Sequence, residues 1–266
     1  MASVLGGSAG RPAAEGAADG SAAGAAGRVA VVTHATRYAG PGSVEALRKA
    51  GYTVLCHDES FLDEAARASF EDGRDGAVAS SARTATGAVG QAVKRYGRLD
   101  LVVSNDVHPA RYLPVEQADP AELRRAAEAL LVTPVAVLAK AAAHMKRRGS
   151  GHIVLMTSAA PLRPEAGFST YSSLRAGASA YARAAARELA PHGVTVHAVA
   201  PNFLESETYY PPELWETDEG RERLRDLLPA GRLGTAEEIG DLVVFLGSGS
   251  ADFLTGDVLH FTGGWM

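Results

Sequence analysis

The chain has 266 residues, 46% hydrophobic and 21% charged, which suits one large α/β domain and is ordinary for a globular protein. Its 26 basic and 31 acidic residues give a formal net charge of −5, which argues against a general nucleic-acid binder. The single cysteine, Cys56, excludes an internal disulfide and a cysteine-based zinc site, fits a reducing cytoplasm, and sits in an apolar run where a buried, inert thiol is expected.

The first 27 residues are nearly all Ala, Gly and Ser. They lack the basic start and apolar core of a secretory signal and have little to bury, so residues 1–27 are expected to form a disordered tail before a single folded domain over 28–266. No apolar run approaches the roughly 18–20 residues of a membrane span, so no membrane partner is expected. From Arg28 the pattern changes. RVAVVT (28–33) is a buried strand, followed by a helix over PGSVEALRKAGY (41–52), with a proline near its start and a glycine near its end. TVLCHD (53–58) is a second strand, and 70–83 carries a weak signal for another strand and a helix start. Further strands are read at LDLVVSN (99–105), HIVLMTS (152–158), VTVHAVAP (194–201) and DVLHFTGG (257–264). Helical patterns lie between them at about 84–95, 119–148, 170–191 and 236–247, the second opened by Asp119 before Pro120. Strands alternating with helices predict a Rossmann-like, doubly wound parallel sheet covered on both faces. Ligands in such a fold bind where the strands end, which directs attention to residues 33–42, 57–59, 104–108, 157–160 and 201–206.

The loop after the first strand reads THATRYAGPG. A dinucleotide needs small residues where backbone meets pyrophosphate. The corresponding pattern of the short-chain dehydrogenase/reductase superfamily is Thr-Gly-x-x-x-Gly-x-Gly. Laid on this chain it keeps Thr33 and Gly40 but places His34 and Tyr38 where the first two glycines would be. One reading is a degenerate but working nucleotide loop. The sharper one is that no dinucleotide binds and Tyr38 lines a smaller pocket. Asp58, at the position of a ribose-binding acid, then becomes a cap or other structural group.

Ser158 follows a strand, Tyr171 lies thirteen positions later at a helix start, and Arg175 is one turn further along the same face. Tyr and Arg four apart can simply stack on a surface. With Ser158 at this spacing, the three resemble the Ser-Tyr-Lys constellation of short-chain dehydrogenases, with Arg in place of Lys. Arg stays charged at any working pH. At a separation of roughly 6 Å and an effective dielectric of about 20, it favours the phenolate of Tyr171 by roughly 3 kcal/mol, or about two pKa units. That makes Tyr171 an expected general base for a hydroxyl proton. After the sixth strand, Pro201-Asn202-Phe203-Leu204 is followed by Tyr209, Tyr210 and Trp215. Ring edges and loop N–H groups suit a large, weakly hydrated anion, and a plain hydrophobic lid is the alternative.

Together Ser158–Tyr171–Arg175, Tyr38 in the broken glycine turn, CHDES (56–60), VSND (103–106) and PNFL (201–204) resemble the halohydrin dehalogenases, a cofactor-free offshoot of that superfamily. The resemblance spans residues 29–264. It implies reversible conversion of vicinal haloalcohols to epoxides, with Tyr171 as base and acid and Ser158 holding the substrate oxygen. Halide would sit near Tyr38, Pro201, Asn202, Phe203, Leu204 and Tyr210. It also implies no cofactor and no metal, small anions such as azide, cyanide or nitrite as nucleophiles for the reverse reaction, and a homotetramer. The competing expectation is an NAD(P)-dependent short-chain reductase with an unusual Arg.

Overall fold

The computed structural model describes residues 27–265. The tail expected over 1–27 therefore lies, all but Gly27, outside the described residues. Among the described residues seven strands, β1 (Val29–Val32), β2 (Thr53–Cys56), β3 (Ala77–Ala79), β4 (Leu101–Ser104), β5 (Gly151–Met156), β6 (Val194–Pro201) and β7 (Val258–Phe261), form one sheet in the order β3-β2-β1-β4-β5-β6-β7. Every pairing is parallel. The strand order reverses between β1 and β4, so their adjoining loops part there and leave a crevice at the carboxyl ends.

Side-chain alternation divides the core into two layers. Val29 and Val31 pack on one face, against α3 (Ala85–Tyr96), α5 (Thr133–Arg148) and α6 (Ser169–Leu189). Ala30 and Val32 pack on the other, against α1 (Gly40–Lys49) and α8 (Ala236–Gly247). Both faces being covered explains why the strands read as unbroken valine-rich runs rather than alternating ones. The remaining helices are α2 (Glu64–Glu71), α4 (Pro120–Ala127) and α7 (Asp218–Leu227). Cys56 is fully buried as expected, and burial pushes its thiol pKa up.

The helix expected over 119–148 is one rod with a defect. Asp119 caps α4 by accepting the Ala121 N–H at 2.8 Å, and a π turn at Glu128–Val132 joins α4 to α5. Pro134 has no N–H to return to the preceding turn, and widening the helix there accommodates the lost bond. Contrary to the expectation that no apolar stretch approaches a membrane span, Pro120–Arg148 is long and apolar enough to cross one by length and composition. Here Val137, Leu138, Ala141 and Met145 face the sheet, which is how a core helix uses the same composition.

Gly42 and Gly240 set the contact between α1 and α8. A Cβ on Gly42 would overlap the Ala236 carbonyl, and one on Gly240 would overlap the Gly42 carbonyl. Close approach here seats the first turn of α1, and so the loop before it. The substitution Gly42→Ala is expected to cost at least about 1–3 kcal/mol by overpacking. A thermal melt would show it as a Tm drop of roughly 2–4 °C per kcal/mol. An unchanged Tm would mean the two helices separate freely.

Candidate active site

The carboxyl ends of β1, β4, β5 and β6 surround a cavity of about 470 Å3. Ser158 and Tyr171 both line it, from the end of β5 and the first turn of α6. Ser158 is 6% exposed, and its Oγ accepts the Ala160 N–H at 3.1 Å, which fixes the oxygen and leaves its O–H to donate elsewhere. The Tyr171 ring packs with Ala126, Leu130 and Leu174, so it is held by apolar contacts.

Arg175 stands behind Tyr171 rather than in the cavity. It is 1% exposed, among the largest fully buried side chains described. Nη1 donates to the Met156 carbonyl at 2.8 Å, and Nη2 to the Asp106 carbonyl at 3.1 Å and the Tyr209 hydroxyl at 3.3 Å. Its Cζ lies 5.2 Å from the centre of the Tyr171 ring. Burial alone would lower the guanidinium pKa, but the phenol oxygens of Tyr171, Tyr209 and Tyr38 outweigh it and the net direction is up. The cation is thus permanent and surrounded by phenols. Asp106 is close by, with burial raising its carboxyl pKa against the pull of His34, Ser104 and Arg175. The Ser104 hydroxyl donates to its Oδ2 at 2.5 Å, and the His34 Nδ1 lies 3.6 Å from its Oδ1.

The first loop has a glycine turn's backbone without the first two glycines of the pattern. His34 has φ 45° and Tyr38 φ 50°, both left-handed. Such positions cost non-glycine residues about 1–3 kcal/mol unless the surroundings impose them. Asn105 does so: its Nδ2 donates to the carbonyls of His34 at 3.0 Å and Arg37 at 2.9 Å, while its N–H reaches Thr33 Oγ1 at 2.8 Å. Gly40 is required, since a Cβ would crowd the His34 and Ala35 carbonyls. The Tyr38 side chain turns into the cavity, 8% exposed, and meets Tyr209 edge-on at 5.0 Å. His34 turns the other way, toward Asp106 and His57. Asp58 caps its own loop, accepting from Ser60 N at 3.1 Å, Ser60 Oγ at 2.8 Å and Thr36 Oγ1 at 2.6 Å. Burial raises its pKa less than these bonds lower it.

Of the six residues expected around an anion, Tyr38, Pro201, Asn202, Phe203 and Tyr210 line the cavity. Leu204 does not; it is 1% exposed and belongs to the core under α1 and α8. Phe203, at φ 58°, swings its ring against Tyr210 at 5.1 Å and Trp265 at 5.5 Å while the chain turns. The N–H groups of Asn202, Phe203 and Glu205 are committed to Phe261 O, Asn202 Oδ1 and Gly234 O. The loop therefore offers the cavity ring edges and side chains more than the N–H cluster expected from sequence. The Tyr210 hydroxyl donates to Asn202 Oδ1 at 2.8 Å, and burial raises its pKa.

Two cavity residues have a place that the sequence reading does not assign: Tyr209 is read there only as one ring of the aromatic loop, and Ser172 is given no role. Tyr209 carries no periodic signal; only its place in an aromatic loop after a ligand-facing strand marks it. Ser172 follows the tyrosine directly, is 7% exposed, and has a hydroxyl with no partner among the described residues. Arg163 and Glu165 also line the cavity, the Arg163 guanidinium lying 5.1 Å from the centre of the Trp265 ring.

A parallel sheet with a Ser-Tyr-Arg group at its carboxyl edge defines a short-chain dehydrogenase/reductase architecture. A family model described as Enoyl-(Acyl carrier protein) reductase matches residues 39–266. The short-chain reductase protein NovJ of Streptomyces niveus is 32% identical over 253 residues, covering 89% of this chain and 93% of its own. The chain belongs to the short-chain dehydrogenase/reductase family. Within it, the solved structures it resembles include a halohydrin dehalogenase bound to ethyl (2S)-oxiran-2-ylacetate, at 40% identity and TM-score 0.86, with 89% of this chain and 96% of that one covered. Another is described as a dehalogenation enzyme, at 38% identity and TM-score 0.86, covering 90% of this chain and 98% of that one.

Proposed function

We propose that this protein is a cofactor-independent halohydrin dehalogenase. The observation that carries the reading is the arrangement of Ser158 and Tyr171 on one cavity with a buried guanidinium behind the phenol and a second ring, Tyr38, in the turn that would otherwise meet a pyrophosphate. In the forward direction Ser158 donates a hydrogen bond to the hydroxyl oxygen of a vicinal haloalcohol. Tyr171, as phenolate, takes the hydroxyl proton. The alkoxide oxygen then attacks the adjacent carbon as the carbon–halogen bond breaks, and halide leaves with the electron pair. The products are an epoxide and halide, and Tyr171 returns the proton to water. Arg175 stabilises the negative charge that Tyr171 carries as a base, in a buried setting where such a charge interacts strongly. In reverse, Tyr171 protonates the opening epoxide while a small anion attacks carbon. The rings of Tyr38, Phe203 and Tyr210 present the surface along which the anion would sit, their edges being electropositive. That a halohydrin dehalogenase of the same fold holds an epoxide ester supports a small epoxide as ligand here.

A second reading, an NAD(P)-dependent reductase, draws on the reductase names of relatives such as NovJ. Against it stand the Tyr38 ring in the cavity and an Asp58 carboxylate already bonded to Thr36 and Ser60. The purified protein mixed with a bromo- or chloro-alcohol, without nucleotide, is expected to release halide and protons in equal amounts at an enzyme-dependent rate. Absence of release across several haloalcohols, together with tight NADH or NADPH binding, would establish the reductase instead.

A further inference from the structure

We propose that Tyr209 is a positioning residue for the reaction set out above, its hydroxyl holding the Arg175 guanidinium in register with Tyr171 and tying that register to the anion-side loop. The inference rests on the dehalogenase reading and adds a residue to it.

Arg175 is held from three directions. Two are rigid: the Met156 carbonyl ends β5 and the Asp106 carbonyl follows β4. The third is the Tyr209 hydroxyl, from the loop after β6. That hydroxyl donates its proton to the His108 carbonyl at 2.9 Å, so what it turns toward Nη2 is a lone pair. It is thereby oriented as an acceptor for the cation. Burial raises the Tyr209 pKa to about 12, so the group stays a neutral dipole and does not compete as a second anion for Arg175. The Tyr209 ring meets Tyr38 at 5.0 Å and Tyr171 at 6.2 Å, both edge-on, and stands between the first turn and the catalytic helix.

The same loop reaches the anion side one residue later. Tyr210 bonds Asn202 Oδ1 and packs on Phe203. The Ser206 and Tyr210 backbones pair across the turn, with the Tyr210 N–H donating to the Ser206 carbonyl at 2.9 Å. Residues 206–210 therefore form a short closed loop with one tyrosine on the guanidinium and the next beside the cavity wall. An anion that repacks Phe203 and Tyr210 acts on the same short segment that grips Arg175.

The substitution Tyr209→Phe isolates the hydroxyl, because the ring and its two edge contacts remain. The charged and titratable groups around the Tyr171–Arg175 pair include Tyr38 from the first turn, Asp106 after β4, Tyr209 and Tyr210 from the loop after β6, and Arg163, Glu165 and Arg223 on the cavity wall. Only Tyr209 among these changes in the variant. Halide release from a bromo-alcohol is measured across pH for wild type, Tyr209→Phe, Arg175→Lys and the double variant, with Tm recorded for each. A hydrogen bond to a charged group sets the scale. The expected result is a kcat lower by roughly tenfold in Tyr209→Phe, KM within about twofold, and the acid limb of the pH–rate profile moved to higher pH, with Tm lower by only a few degrees because the His108 carbonyl loses its donor. In the Arg175→Lys background, Tyr209→Phe should add much less than its effect alone, since its partner is gone. A Tyr209→Phe enzyme with wild-type kcat and pH profile overturns the proposal. So does a full multiplicative loss in the Lys background, which would mean Tyr209 acts without Arg175. A wild type that releases no halide sinks the dehalogenase reading, and this proposal with it.

Discussion

The Tyr171→Phe variant is expected to lose halide release by a factor of roughly 10²–10⁴, the usual contribution of a positioned acid–base group. The ring contacts with Ala126, Leu130 and Leu174 are apolar and survive the change, so Tm and the far-UV spectrum should stay at wild-type values. That combination separates chemistry from folding. Initial rates of bromide release at saturating substrate are the measurement, alongside a thermal melt. Retained turnover would remove Tyr171 from the mechanism and leave Ser158 or a cavity water as the base.

The second large effect is expected at Arg175→Lys, in two readouts at once. The guanidinium spans two backbone carbonyls, Met156 at 2.8 Å and Asp106 at 3.1 Å, from full burial. A lysine ammonium is a compact charge that cannot fork across both. One buried carbonyl is left short of a donor, at a cost of about 1–3 kcal/mol. In a chain of this size that lowers Tm by roughly 2–4 °C per kcal/mol. Activity should fall by roughly one to two orders of magnitude, since a charge-assisted hydrogen bond worth about 1.5–3 kcal/mol is weakened or misplaced. The sign of the pH effect follows from the charge. A cation further from the phenol favours the proton-free form less, so the acid limb of the rate profile moves to higher pH. Lower activity with an unmoved profile would give Arg175 a purely structural role.

Much of this site was legible because it is tied to regular elements. Ser158 could be placed by the end of a valine-rich strand, and Tyr171 and Arg175 by the pitch of one helix. β6 and α8 match their expected bounds, 194–201 and 236–247, because β6 is an unbroken apolar run buried on both faces and α8 carries one apolar stripe between a capping threonine and its last glycine. Two helices gave no signal. α2 buries no residue and α7 buries only Leu224, so neither carries an apolar stripe to read. The π turn before Pro134 was hidden in an otherwise continuous helical pattern. The loop at 201–210 is aromatic and lines the cavity, as its composition suggests, but differs in detail. Its chain reversal at Phe203 sends Leu204 into the core, and its N–H groups are used by β7 and Gly234, partners far away in sequence. Tyr209 finds Arg175 across 34 residues, a contact that no local spacing encodes.

The left-handed conformations of His34 and Tyr38 bear on how such a protein could change its trade. The turn retains the path that glycine would follow without strain, clamped from the side by Asn105. What fills the crevice at this turn is the Tyr38 ring, since the His34 side chain points away toward Asp106 and His57. A substitution of Tyr38 alone redraws the occupancy of the crevice, and at both left-handed positions a step toward glycine runs downhill in backbone conformational energy. The first turn thus separates two demands, a backbone path set by Asn105 and a crevice volume set by the Tyr38 ring, and a substitution can alter the second while leaving the first in place.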